Sequence, residues 1–419
     1  MKVSGIIAEY NPFHNGHAYH LAQTRRSLES DYIIVVMSGN YVQRGAPTII
    51  DKYSRAQMAL KCGADLVLEL PVCFSSASAE YFAFGGCAIL DKLGVVDNIC
   101  FGTETLDNSP DGKAVLVEEF SKIADLLLNE PDEYKAILKE GLKSGLSNAA
   151  ARAKGVEEIL GKKYLDILET SNNILAVEYI KSLKKLGSSI VPVPVARKMT
   201  AHNDALIKSG YSSATAIRNA VFNKYSLSSL ASTLPEDAYN ILLEQYLVSF
   251  PVFRDDFSSV FGSILLNANG AGDLTKYFGV SEDLANRMIK HKNEYRSFSS
   301  FRDIIYAKNI TKATVSRAML HISLGILEED MKKLYNTDSL TAVKMLGFRK
   351  EAQPLLSQIK KSGSIRLVSK LADYEPASDS AGADNIIQTT RADMLYRMIC
   401  MNKFDNYIKT PFEKEVIII

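Results

Sequence analysis

Short, continuous apolar runs alternate with stretches of helical periodicity along the first hundred residues. Gly5-Ile6-Ile7-Ala8 and Tyr32-Ile33-Ile34-Val35-Val36-Met37 have the continuous hydrophobicity of strands covered on both faces of a parallel sheet, and the mainly apolar residues 64–70 and Asn98-Ile99-Cys100-Phe101 read as two further strands. Between them apolar residues recur at helical spacing, at Phe13, Ala18, Leu21 and Ala22 and again over 52–61 and 78–93. Strand and helix thus alternate four times, which predicts an α/β domain with a doubly wound parallel sheet. Ligands of such sheets lie beyond the carboxyl ends of the strands, where the strand order reverses. A third-second-first-fourth order would set the turn after the first strand opposite Gly102, at the end of the fourth.

Residues 111–187 read as mostly helical, with Ser171-Asn172-Asn173-Ile174-Leu175 opening the last helix. Ser171 or Asn172 could cap it, which accounts for one polar residue there but not for both asparagines. A fifth strand, around 190–195, ends at Ala196-Arg197-Lys198 on the ligand-facing edge. From about 226 the alternation stops, and 236–366 reads as a succession of amphipathic helices, such as 283–292 and 312–324. The expected organisation is therefore an α/β domain over 1–225 and a mainly helical region over 226–419. Residues 374–383 read as an exposed loop, and the apolar end Val416-Ile417-Ile418-Ile419 is expected to dock as a strand or a helix.

Chemistry concentrates at the first strand-to-helix turn, Glu9-Tyr10-Asn11-Pro12-Phe13-His14-Asn15-Gly16-His17. Asn11-Pro12 forces a turn, because the proline ring fixes φ and biases Asn11 away from helix. His14 and His17, three apart, point the same way from a first helical turn, and Gly16 leaves room for a ligand against the backbone. The free amides of the helix start favour an anion. Two imidazoles over a phosphate suit the charge that develops when a nucleotide α-phosphate is attacked. A bare pair at this spacing is more often a helix cap. The preceding strand, the Asn-Pro turn and the internal glycine favour the phosphate site. No third ligand stands near for a metal. Ser213, Thr215 and Arg218, at another helix start, form either a second anion cradle or simply a capped helix with a solvated arginine.

Composition sets the surroundings. The net charge of +1 predicts no polyanion partner by itself, but residues 287–317 hold eight basic residues against Glu294 and Asp303. That run, with Lys290, Lys292 and Arg296 at its centre and His291, Tyr295 and Tyr306 interleaved, is either a solvated helical face or a surface for a phosphate backbone. Five cysteines without a CxxC pair fit small buried hydrophobes in a reducing compartment. No apolar run has the length of a membrane span and none resembles a signal peptide, so a cytoplasmic protein is expected.

The turn resembles the HxGH signature of the nucleotidyltransferase and class I aminoacyl-tRNA synthetase superfamily. Its longer form is similar to that of the bacterial tRNA(Met) cytidine acetate ligases. The likeness extends to Met37-Ser38-Gly39, Gln43-Arg44-Gly45, Glu69-Leu70-Pro71, Phe101-Gly102, Asn172-Asn173-Ile174-Leu175 and Ser213-Ala214-Thr215-Ala216-Ile217-Arg218. This resemblance implies ATP, with Mg²⁺, bound along Ile7, Glu9, Tyr10, Asn11, Pro12, Phe13, His14, Asn15, Gly16, His17 and His20. Gly102, Asn172 or Asn173, and Arg197 complete the site. Ser213, Thr215 and Arg218 would hold pyrophosphate. It implies acetate activated as acetyl-adenylate, elongator tRNA(Met) as acceptor through N4 of its wobble cytidine, and no membrane or protein partner. Ser171 and Ala176 stand where that family pattern has Pro and Gly. Two rivals share the motif: a nucleotidyltransferase placing AMP or CMP on a phosphorylated small acceptor, and a tRNA-binding protein with a decayed site. The first has no need of the basic helical region, and intact His14, Gly16, His17 and Arg218 weigh against the second.

Overall fold

The apolar runs are strands, and they lie side by side in one sheet. In the computed structural model, which describes residues 1–106, 111–197, 210–336, 339–376 and 384–419, β1 (Val3–Ala8) leads into α1 (Asn15–Leu28) and β2 (Tyr32–Ser38). A small hairpin follows, β3 (Tyr41–Val42) with β4 (Ala46–Pro47), then α2 (Lys52–Lys61), β5 (Leu66–Leu70), α3 (Val72–Ser75), α4 (Ala79–Lys92) and β6 (Asn98–Thr103). Next come α5 (Gly112–Asn129), α6 (Asp132–Lys143), α7 (Asn148–Leu160), α8 (Lys162–Ile167), α9 (Ser171–Leu186), β7 (Val191–Ala196) and α10 (Ala214–Phe222). A helical stretch comprises α11 (Glu236–Glu244), α12 (Ser258–Asn267), α13 (Gly272–Thr275), α14 (Glu282–Lys290), α15 (Phe298–Ile305), α16 (Lys312–Leu324) and α17 (Glu328–Leu334). The chain closes with β8 (Ala342–Phe348), α18 (Gln353–Ser362), β9 (Arg366–Val368), α19 (Asn385–Phe404) and β10 (Ile417–Ile418).

The sheet order is β10-β8-β5-β2-β1-β6-β7, with β9 also pairing β8. β1 is parallel to β2 on one side and to β6 on the other, so the order reverses between β1 and β6, where the alternation placed it. Side-chain alternation splits the core into two layers. Ile34 and Val36 pack with Phe82 of α4, Phe120 of α5 and Tyr179 of α9. Ile33, Val35 and Met37 pack with Leu21 of α1, Met58 of α2, Ile217 of α10 and Ile241 of α11.

The region after 226 departs from the expected run of helices. β8 is a strand, buried along its whole length, and it runs antiparallel to β5. It covers an edge that would otherwise expose unpaired backbone, so the sheet is mixed rather than wholly parallel. β9 and β10 then pair with β8 at its two ends, so the apolar carboxyl end docks as a strand. Strands on both sides of the boundary expected at 225 thus belong to one sheet. Lys198 and residues 377–383 of the expected loop lie outside the described residues. Among those described, no helix is long and apolar enough to cross a membrane.

A buried polar cluster fastens the carboxyl-terminal α19 to the amino-terminal half. Lys52, 1% exposed, lies 2.6 Å from Glu69 at the end of β5 and also pairs with Asp393 of α19. Asn40 donates to Asp393 at 2.9 Å, the Tyr41 hydroxyl donates to the Ala392 carbonyl, and the Tyr396 hydroxyl donates to the Thr48 carbonyl. Burial opposes a charged Lys52, but Asp393 and Glu69 outweigh it and hold the ammonium above its ordinary range.

Candidate active site

The turn between β1 and α1 lies at the carboxyl end of β1, beside the reversal of strand order. Asn11-Pro12 is a cis peptide, and Tyr10 precedes it with φ +47°. His14 is the N-cap of α1, with an extended backbone rather than a first-turn helical one, so the helix starts one residue later than the motif suggests. The caps are reciprocal: Gly16 N–H donates to His14 Nδ1 at 3.0 Å, and His14 N–H donates to His17 Nδ1 at 3.3 Å. The two rings stack with centroids 3.7 Å apart, and the Tyr10 ring lies 4.7 Å from His17.

This cap assigns the tautomers. An Nδ1 that accepts an amide proton carries none of its own, so each neutral ring has its proton on Nε2. Burial, and then His14, Arg197 and His20, hold His17 well below the usual histidine value. The pair is therefore a helix cap, and capping through one nitrogen leaves the proton of a neutral ring on the other, as a phosphate site would need. Gly16 is needed for it, because a Cβ there would lie 2.8 Å from His14 Cε1 and push the ring out. We expect Gly16→Ala to lower ATP–pyrophosphate exchange on the order of 10²-fold, the usual scale of a misplaced reacting group, with thermal unfolding little changed. Parental exchange in this variant would show that the ring position is not critical.

The rest of the turn is held from outside the motif. Asn11 Oδ1 accepts from Ile49 N–H at 2.9 Å, and Asn15 Nδ2 donates to the carbonyls of Gly210 at 2.6 Å and Ser232 at 2.9 Å. Pro12 and Phe13 are buried, Phe13 edge-on to Tyr10, and Ile7 packs against Gly86 of α4. Arg55, fully buried on α2, donates to the carbonyls of Glu9 at 2.8 Å, Ser38 at 3.0 Å, Ile50 at 3.1 Å and also Gly39. One guanidinium thus ties the ends of β1 and β2 together. Sequence reading missed it, because a lone arginine in an amphipathic helix looks solvated. Glu9 accepts Gln43 N–H at 3.1 Å, which joins the β3–β4 hairpin to the site. Tyr10 Oη and His20 Nε2 are buried without a hydrogen-bond partner among the described residues, as groups awaiting a ligand would be. Burial, and then Arg197, pull His20 down to about 4, so it too is neutral.

Across the crevice, Gly102 pairs with Val195 in register, and a Cβ on it would press on the Arg197 chain at 3.1 Å. The two asparagines separate cleanly. Asn173 is fully buried, accepting from Thr103 Oγ1 at 2.7 Å and donating to Ile167 O at 3.0 Å, so it fixes α9 against β6. Asn172 is half-buried and donates to Glu104, whose carboxylate also accepts from Thr170 at 3.1 Å and lies 3.8 Å from Arg197. Thr170, rather than Ser171 or Asn172, is the N-cap residue of α9. Glu104 as the hub of this group had no sequence signal, since the residue simply follows a strand end.

Ser213 caps α10, accepting from Ala216 N–H at 3.1 Å. Arg218 donates to Asn11 O at 2.7 Å and to Thr215 Oγ1 at 3.0 Å, so α10 is anchored on the motif itself. Burial lowers Arg218 to about 10, which leaves it cationic at neutral pH. The structure thus brings the motif, Gly102, Asn172, Arg197, Thr215 and Arg218 to one set of strand ends. It does not bring Lys290, Lys292 or Arg296 there. Among the described residues no hydrogen bond or ion pair links them to the motif, and Lys292 donates to the Ala268 carbonyl at 3.1 Å. Other cations of that run are also engaged, Arg287 on the Ile304 and Tyr306 carbonyls and Arg302 and Lys312 on Asp303.

Comparison with known proteins bears on this geometry. The profile of the family described as HIGH Nucleotidyl Transferase matches residues 1–410. The tRNA(Met) cytidine acetate ligase of Acetivibrio thermocellus is 38% identical over 424 aligned residues, covering 100% of both chains. That of Caldanaerobacter subterraneus subsp. tengcongensis is 36% identical, covering 97% of this chain and 98% of its own. Among solved structures, Thermotoga maritima TmcAL, 32% identical and covered fully in both directions, superposes with a TM-score of 0.91 in its apo form and 0.89 when bound with alpha-thio ATP.

Proposed function

The chain belongs to the HIGH nucleotidyl transferase family, among the tRNA(Met) cytidine acetate ligases, and from that premise we propose that it activates acetate with ATP and acetylates N4 of the wobble cytidine of elongator tRNA(Met). The observation that carries this reading is the stacked His14–His17 pair, with both Nδ1 atoms occupied by backbone amides, at the reversal of strand order.

In the first step an acetate oxygen attacks the α-phosphorus of ATP, the bond to the β-phosphate oxygen breaks, and pyrophosphate leaves. Charge builds on the α-phosphate oxygens, and the Nε2–H groups of His14 and His17 donate to them. Arg218 and Thr215, set by the contact to Asn11, hold the departing pyrophosphate, with Ser213 shaping that helix start. Glu9, Tyr10, His20, Gly102, Asn172 and Arg197 line the nucleoside side, and Asn173 supports them from behind. ATP would bring Mg²⁺ on its phosphates, where the ion would offset the charge of the departing pyrophosphate. In the second step the cytidine amine attacks the acetyl carbonyl, loses a proton and expels AMP. The base must leave the anticodon stack to reach the crevice. Lys290 and Arg296, exposed on the helical region, with Lys292, would add sequence-independent attraction for the tRNA backbone. The proposed site of action is the cytoplasm, where a tRNA acceptor would be met.

The test is ATP–pyrophosphate exchange with a panel of short carboxylates, with and without tRNA. Acetate should support exchange without tRNA. Exchange that ignores every carboxylate would remove the acyl-adenylate from the account.

A further inference from the structure

The β3–β4 hairpin tip, Gln43-Arg44-Gly45, sits between the motif and the helical region. Its Gln43 amide meets Glu9, its Gln43 carbonyl accepts Arg317 Nη1 at 3.3 Å, and its Arg44 carbonyl accepts Arg254 Nη2 at 3.4 Å. Gly45, at φ +62°, lets the tip press on α16, since a Cβ there would lie 2.3 Å from the Ser316 carbonyl carbon. Arg254 and Arg317 thus reach carbonyls of one short turn, which itself carries the exposed Arg44. Among the described residues none of Arg44, Arg254 and Arg317 is ion-paired with a carboxylate, and the Arg254 Nε–H is buried without an acceptor. Burial, then the like charges of Arg302 and Arg218, pull Arg254 down to about 10. Asp255 and Asp303 act the other way, but they already accept from Ser299 N–H and from Arg302 and Lys312. Half-buried cations such as Arg254 and Arg317, paired with no carboxylate among the described residues, are costly unless an anion joins them.

A second observation concerns the neighbouring surface. Phe222, the last residue of α10, is 63% exposed, one helical turn beyond Arg218 and so on the same face. Its ring meets that of Phe253 edge-on at 5.3 Å. Phe253 directly precedes Arg254 and carries the Lys403 amine 4.8 Å from its ring centre. An exposed aromatic flanked by cations that lead toward a nucleotide-handling crevice is the pattern of a single-stranded nucleic acid platform. There phosphates meet the cations and an unstacked base lies on the ring. A duplex would offer its phosphates but no free base face.

We propose that this surface receives the single-stranded anticodon segment of the RNA substrate, with Arg44, Arg254 and Arg317 on its phosphates and a base stacked on Phe222. The proposal rests on the reading that RNA is the acetyl acceptor, and it says where that RNA enters. It differs from the Lys290–Arg296 face in lying against the motif loop itself.

The test uses the full chain with labelled tRNA(Met) and with an RNA hairpin of its anticodon arm, over a range of salt concentrations. Arg44→Gln combined with Arg254→Gln should weaken binding and flatten the log–log salt dependence by about 0.7–0.9 for each phosphate left without its cation. Phe222→Ala should weaken binding of both RNAs on the order of tenfold with an unchanged salt slope, because stacking on a ring releases no counterions. Acetate-dependent ATP–pyrophosphate exchange without RNA should remain parental in Arg44→Gln and in Phe222→Ala, both exposed side chains. Parental affinity and slope in these variants would overturn the surface while leaving the ligase reading intact. Loss of RNA-free exchange in either would overturn it too, by showing that the surface serves the ATP site. A parent protein that binds no RNA at all would overturn both.

Discussion

Replacing His14 or His17 with alanine lowers acetate-dependent ATP–pyrophosphate exchange by about 10²-fold or more, the usual loss for one preorganised donor in a transition state, while ATP binding weakens far less. The two rings act as a unit. His14 N–H caps onto His17 Nδ1, and the His14 ring is itself held by Gly16. Each ring keeps its backbone amide when the other is removed, but the two stack with centroids 3.7 Å apart, so removing either takes away a packing face of the other, and the double variant should lose little more than the worse single one. Because burial keeps His17 neutral well below its ordinary value, its Nε2–H is a donor at neutral pH, and this donor is not lost as pH rises through 6.5. Loss comes on acidification, when a proton on Nδ1 displaces the His14 amide. Unchanged turnover in both variants would refute the role of the pair. A rate that fell as pH rose through 6.5 would point to imidazolium donors instead.

Lys52→Met should destabilise the fold by about 3–5 kcal/mol, the scale for stripping one partner from a buried ion cluster. The substitution keeps the volume but leaves Glu69 and Asp393, 2% and 5% exposed, facing each other without a cation. Burial already holds the Asp393 carboxyl above the ordinary range against the pull of Lys52, and Glu69 adds to the rise. Replacing all three by apolar residues of similar size should recover most of that stability. Chemical denaturation of the single and triple variants measures both effects. A single variant as stable as the parent would mean that the cluster is not a clamp. Because α19 also grips the loop that carries Asn40 and Tyr41, whose next residues reach Glu9 through Gln43, the triple variant is also expected to lose some exchange activity.

What was legible in the sequence follows from how local each signal is. Strands β1, β2, β5 and β6 are short, mainly apolar runs separated by helical patterns, and their order was open to inference because a ligand-bearing turn must stand at the reversal. The histidine turn carries its meaning within a few residues, in a proline, a glycine and two imidazoles. Interactions that join distant segments left no such trace. Arg55 works through carbonyls that any sequence would supply, and Lys52 finds Asp393 only through tertiary structure. β8 did have a signal, since Ala342-Val343-Lys344-Met345-Leu346-Gly347-Phe348 is a run of the strand type. It was overridden by the helices on either side, and its lysine and glycine blurred it. The lysine hides by donating to the Ser369 carbonyl at 2.7 Å, and the glycine admits Leu60 of α2 and the Ile417 backbone. The basic run over 287–317 shows the converse limit: its charge count is plain in the sequence, but that several of its cations are engaged by carbonyls and by Asp303 is not.

The account is tested most directly by supplying the protein with ATP, isotopically labelled acetate and elongator tRNA(Met), then digesting the RNA and identifying the labelled nucleoside. It predicts label in N4-acetylcytidine at the wobble position, with AMP and pyrophosphate released in step and no nucleotide left on a small molecule. An adenylylated or cytidylylated small product formed without acetate, or a tRNA that stays unlabelled while acetate-dependent exchange proceeds, would contradict it.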